Sequence, residues 1–94
     1  MNAFDEIFQE LKRAEKKFPG WPEDPVHAAA ILAEEAGELV QAALDFFYGR
    51  EKNPEKMRLE AAQTGAMAVR FLIGLGRNEY IDIQGNRPGI PGRK

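Results

Sequence analysis

Between residues 4 and 17 the apolar positions Phe4, Ile7, Phe8, Leu11 and Ala14 recur at three- and four-residue steps, the spacing that gathers side chains on one face of a helix. Lys12, Arg13, Lys16 and Lys17 fall in its later turns, where cations suit the helix dipole. The next stretch, FPGWPEDP at 18–25, carries Pro19, Gly20, Pro22 and Pro25; it cannot continue a helix and predicts a tight turn presenting Trp21. Asp24 before Pro25 reads as an N-cap and first helical position, opening a second helix from 25 to about 48 with Gly49 as its stop. Asn53 and Pro54 repeat that start signal, and a third helix is expected to run to about Gly74 or Gly76. Residues 77–94 are rich in glycine and proline around a short apolar patch of Tyr80, Ile81 and Ile83. They predict an irregular tail after a helical domain at 1–76.

The connections between these helices are short, so neighbours are expected to pack antiparallel. Leu59, Ala62, Ala66, Val69 and Ile73 form one apolar stripe of the third helix, while Met67, Phe71 and Gly74 lie on another. A helix apolar on most sides must be covered on most sides. The expected fold class is therefore all-α: an antiparallel bundle of three main helices per chain, completed by oligomerisation as a homodimer or homotetramer. A chain of 94 residues buries a limited share of its surface alone, which points the same way.

Composition narrows the function classes. Thirteen Lys and Arg against fifteen Asp and Glu give a net charge of -2, so no general basic field draws the chain to nucleic acid. In the tail, Arg77, Arg87, Arg93 and Lys94 are diluted by Glu79 and Asp82. No cysteine is present, which excludes thiolate metal sites and agrees with a reducing compartment, so a cytoplasmic location is expected. The first twelve residues have acids spread among them and do not read as a secretory signal. No stretch approaches the roughly 20 apolar residues of a membrane span.

The acids of the second helix change the picture most. In ILAEEAGELVQAAL, at 31–44, Glu35 and Glu38 share a face, and Glu35 falls on the line of Ala28, Ile31, Leu32, Leu39, Ala42 and Phe46. In the third helix Glu60 and Gln63 share a face with Met67 and Phe71. Each helix thus interrupts an apolar face with two oxygen-bearing side chains three residues apart. Buried carboxylates are costly and mutually repulsive unless a counter-charge or a proton relieves them. A hard divalent cation such as Mg²⁺, or alternatively Mn²⁺, answers both difficulties, and facing helices of a bundle can supply its ligands.

Glu34-Glu35-Ala36-Gly37-Glu38 on one helix, followed on the next by Glu60-Ala61-Ala62-Gln63, resembles the ExxE and ExxD signature of the all-α nucleoside triphosphate pyrophosphohydrolases. That superfamily includes MazG-like proteins, dimeric dUTPases and phosphoribosyl-ATP pyrophosphatase. The resemblance spans roughly residues 18–72, and its most specific part is EEAGEL. It implies a magnesium-dependent hydrolase that cleaves a (d)NTP or modified nucleotide to the monophosphate and pyrophosphate, by attack of water on the α-phosphorus. Carried over residue by residue, it implies metal ligation by Glu35, Glu38, Glu60 and Gln63, with Glu34 or Glu35 as the base that deprotonates or orients the water. The chain departs from the pattern at Gln63, where aspartate is usual: an amide offers an oxygen but no negative charge. That departure motivates an alternative, a non-catalytic nucleotide- or metal-binding regulatory protein on the same scaffold.

Cations suited to holding a polyphosphate are Arg70, Arg58, Lys52 and Lys56. Arg70 is equally suited to a structural pairing with a glutamate. Trp21 can stack on a nucleobase or pack the proline-rich turn against the bundle. His27, the single histidine, suits a surface or capping position, because one histidine does not make the paired ExxH ligands of di-iron bundles. Phe46, Phe47 and Tyr48 read as core or subunit contact.

Overall fold

The computed structural model describes residues 1–77 and consists of three helices, α1 (Ala3–Lys17), α2 (Pro25–Phe47) and α3 (Glu55–Arg77), with no strand among the described residues. The expected tail lies outside the described residues apart from Arg77, whose backbone closes α3.

Each boundary has a local cause. Asn2 caps α1: its side chain accepts from the Asp5 N–H at 2.9 Å, while the Asp5 carboxylate accepts from the Asn2 N–H. Such a reciprocal box satisfies two donors the first turn leaves orphaned. Asp24 caps α2 by accepting from the His27 N–H at 2.8 Å, with Pro25 just inside, which places His27 in the exposed first turn as expected. Gly49 follows the end of α2 with φ +78°, and its N–H reaches the Phe46 carbonyl. That left-handed conformation favours glycine over any side-chain-bearing residue. Asn53 accepts from the Glu55 N–H at 2.9 Å at the start of α3. α3 runs to Arg77, one residue past Gly76. A Cβ at Gly74 would lie 3.0 Å from the Trp21 ring, so that glycine lets the indole of the 18–25 turn sit against the helix.

Both α1 and α2 pack on α3 and not on each other, so α3 is the central element and its two apolar stripes each have a use within the chain. Leu11, Ala66 and Met67 form the buried cluster, with Ala14, Trp21, Ile31, Leu32 and Val69 packed against it. Ala28, Ala42 and Ala62 are also buried; their small side chains let the helix axes approach closely. On α1 the buried side keeps Ile7, Leu11 and Ala14 of the expected stripe but is rotated toward Glu10. Phe4 and Phe8, members of the expected apolar face, are 82% and 55% exposed, whereas Glu10 is buried beside Leu11. A helix that touches a single neighbour hides only a narrow strip, here centred on Ile7, Glu10, Leu11 and Ala14. At the other end, Phe47 and Tyr48 stack edge to face at 5.0 Å on the surface. No helix among the described residues is long and apolar enough to cross a membrane.

α1 and α3 approach closely at Gly65, where an added Cβ would meet Ile7 side-chain carbons at 2.9 Å. Gly65→Ala is therefore expected to destabilise the fold by about 1–3 kcal/mol through overpacking, despite alanine's better helix propensity. Urea denaturation checks this, and Ile7→Val should recover part of the loss in the double variant.

Candidate metal centre

Glu35 and Glu38 stand one turn apart near the middle of α2, and Glu60 projects from the first half of α3. Packing of α2 on α3 brings the three together: one carboxylate oxygen from each lies within 4.8 Å of the other two. Glu60 is 7% exposed, Glu35 is half-buried and Glu38 faces solvent, so the group runs from the bundle interior outward. Its formation depends on the register of two apolar faces, since each glutamate sits where the neighbouring turns place Ala28, Ile31 or Met67 against the other helix.

The electrostatics are those of an under-compensated cluster. Burial holds the Glu35 carboxyl above its ordinary value, and the charges of Glu38, Glu60 and Glu34 push it further the same way. Glu60 is raised by burial and by Glu38, with Lys56 pulling in the opposite direction. The Lys56 ammonium stands 3.9 Å from Glu60 Oε1 on a largely exposed side chain, a geometry that contributes little to an ion pair. The Oε2 atoms of Glu35 and Glu60 are buried without a hydrogen-bond partner, and orphaned buried acceptors are costly.

A divalent cation fits this donor set. Oxygens on opposite sides of Mg²⁺ lie about 4.2 Å apart, and around Ca²⁺ up to about 5.2 Å. Three ligands of one ion cannot all lie opposite one another, and neighbouring oxygens around Mg²⁺ stand about 3 Å apart, so the three carboxylates, within 4.8 Å of one another, would share an ion after closing further by side-chain rotation. A bound dication would offset much of the repulsion among the three carboxylates.

The remaining residues proposed from sequence divide into two sets. Glu34, Glu35, Gln63, Trp21 and Arg70 line one cavity of about 640 Å³ between α1, the 18–25 turn, α2 and α3, a volume in the range of small-molecule sites. Glu34 itself is exposed. Arg70 is 7% exposed; it donates to the Phe18 and Gly20 carbonyls at 2.7 and 3.2 Å and lies over the Trp21 ring at 4.7 Å. It therefore clamps the 18–25 turn to α3 rather than pairing with a glutamate. Arg58 is held away from the triad by two hydrogen bonds to the Glu6 carboxylate, the second at 3.0 Å. Lys52 is exposed in the connector before α3, and Lys56 alone of these cations touches the triad.

One buried residue of this cavity escaped the sequence reading. Glu10 of α1 accepts from Gln63 Nε2 at 3.3 Å and lines the same space as Glu35. Its signal was present: Glu10 lies three residues after Ile7 and four before Ala14, on the core line by the same rule that marks Glu35. The Gln63 N–H₂ thus has an acceptor in Glu10, to which a carboxylate at that position could not donate. No protein-family model, curated protein or solved structure matches the chain.

Proposed function

We propose that the protein is a magnesium-dependent nucleoside triphosphate pyrophosphohydrolase of the MazG-like all-α type. The observation that carries this reading is the pair of buried, unpartnered oxygens on Glu35 and Glu60 within a three-carboxylate group. Glu35, Glu38 and Glu60 would hold the ion, with the Gln63 side chain as a neutral neighbour. Bound there, Mg²⁺ supplies charge neutralisation for the triphosphate and for the charge that develops as water attacks the α-phosphorus.

The chain's own residues supply the rest. Glu34 or Glu35, side by side on the cavity wall, is suited to deprotonate or orient the attacking water. Lys56, at the edge of the triad, is a cation suited to holding the polyphosphate. Ile31, Met67 and Trp21 give the adjoining cavity apolar walls for a planar base. The antiparallel arrangement and a second copy complete the proposed architecture: Phe4, Phe47 and Leu72 are 82%, 79% and 67% exposed, and no large side chain among the described residues is fully buried. Such apolar exposure is what an oligomer interface covers.

Incubation of the purified protein with each dNTP and NTP, with and without Mg²⁺, tests the reading by assay of pyrophosphate and monophosphate. Metal-dependent release of both in equal amounts supports it. Tight metal-dependent nucleotide binding without release would replace it by the regulatory alternative, which the neutral Gln63 favours. Release of inorganic phosphate in place of pyrophosphate would contradict both.

A further inference from the structure

α2 has a second apolar face, on the side away from α3. Ala28 and Ala42, its buried residues, turn toward α3, the one described helix on which α2 packs. On the opposite side of the helix, Ala30, Ala33, Gly37, Val40, Leu44 and Phe47 follow one another at alternating three- and four-residue steps. All six are exposed, Val40 by 59% and Phe47 by 79%. That alternation keeps a strip facing a partner helix over several turns, as in a coiled coil, and no charged residue interrupts it. Gly37 is the odd member, because glycine in a helix interior is destabilising. Its φ is not positive, and a Cβ added to it would meet nothing within 4 Å. Neither the backbone nor packing inside the chain requires a glycine there.

We propose that this face binds the same face of a second copy of the chain, antiparallel, with Ala30 opposite Phe47, Ala33 opposite Leu44 and Gly37 opposite Val40. In this register every layer sets a small side chain against a large one, and the pairing repeats itself under the two-fold symmetry that a self-complementary interface needs. The large side chains of each copy fill the hollows that alanine and glycine leave in the other, which gives Gly37 its use. The charges agree with the register: Glu35, Glu38 and Asp45 lie off the strip, and Glu34 at its edge comes opposite the neutral Gln41 of the second copy, so no like charges meet across it. The strip is about 26 Å long. With its flanking residues, about 600 Å² a copy leaves water, so the pair reaches roughly the 1,200 Å² at which stable interfaces begin. The proposal deepens the second-copy part of the reading above and is separable from its chemistry, because Glu35 faces the opposite side of α2.

The test begins with the mass of the full-length protein in solution at about 100 μM, by light scattering. The wild type is expected to have the mass of two copies, or of four. Gly37→Leu should weaken association at least about tenfold while helical circular dichroism is kept, because the leucine meets nothing in its own chain and collides with Val40 across the interface. Unspecific apolar contact would be strengthened by the same change, so unchanged or tighter association of Gly37→Leu overturns the proposal, as does a wild type of single-chain mass. Direction is read by disulfides, which this cysteine-free chain allows without background. Ala33→Cys and Leu44→Cys, mixed and oxidised, should crosslink to each other. Each alone should not, because its two copies stand about 16 Å apart along the pair. Crosslinking of either variant alone, or none in the mixture, contradicts the register even where Gly37→Leu fails to fold. A wild type that pairs but ignores Gly37→Leu keeps the second copy and removes this face. Turnover enters no arm, so failure here leaves the pyrophosphohydrolase chemistry standing.

Discussion

Glu60→Gln is expected to lower magnesium-dependent pyrophosphate release by more than about a hundredfold, a larger loss than the 10- to 100-fold typical of residues that only orient a metal ligand. Glu60 is the innermost of the three carboxylates, and its Oε2 has no partner within the chain. The glutamine keeps the volume and one oxygen but removes the negative charge, so the local packing is preserved while the proposed site loses its most buried carboxylate. The metal-free variant should be at least as stable as the wild type at neutral pH, because replacing a raised, repelled carboxylate by an amide removes a cost. Steady-state assay and urea denaturation of the same preparation separate the two effects. A catalytic loss accompanied by unfolding would assign Glu60 to structure; a variant that turns over normally would remove it from the site.

The second large effect is on stability as pH and metal change together. Glu35 and Glu60 titrate above the ordinary glutamate value of 4.5 when folded, so the native state holds protons the unfolded chain has already released. Their contribution is complete below that ordinary value and is lost as pH rises through the raised folded values. Glu6 and Asp45, lowered by Arg58 and Arg50, act with the opposite sign: their contribution is present above the ordinary carboxylate range and disappears as pH falls through their folded values. Without metal, stability should thus fall as pH rises above about 4.5 toward neutrality on account of the triad. Mg²⁺ or Mn²⁺ at a hundred times its Kd should add about 2.7 kcal/mol at pH 7, which for a domain of this size raises Tm by roughly 10–20 °C. The same addition at pH 4 should have little effect, because protonated carboxyls do not ligate. Thermal melts across pH with and without metal check both signs, and in Glu35→Gln both the pH-dependent loss and the metal-induced gain should shrink.

How much of this was legible in the sequence depends on the kind of signal. The helices and their starts were readable because periodicity and capping are local: Ile7, Leu11 and Ala14 announce α1, and Asp24 with Pro25 announces α2. Glu35, Glu38 and Glu60 were readable as a group because each interrupts an apolar face, and the packing of α2 on α3 then brings them within 4.8 Å. Partner choice was not readable. Nothing local says that Arg58 will reach back 52 residues to Glu6, or that Arg70 will give its guanidinium to the Phe18 and Gly20 carbonyls and the Trp21 face. These depend on how α1 and the 18–25 turn lie on α3. Glu10 was missed for a related reason. Phe4 and Phe8 pulled the apparent apolar face of α1 to one side, and only the narrow contact with α3 decides that Glu10 is inside and the phenylalanines outside.

In the proposed function, Glu35 and Glu38 of α2 and Glu60 of α3 form one divalent-cation site. Titration of the metal-free protein with Mn²⁺ at pH 7, followed by loss of the free-ion electron paramagnetic resonance signal, tests it with no assumption about substrate. Saturable binding in the wild type, weakened at least about tenfold by Glu38→Gln and by Glu60→Gln separately, is the expected result. Free-ion signal that grows in proportion to added Mn²⁺ from the start, or binding that survives both substitutions combined, would contradict it.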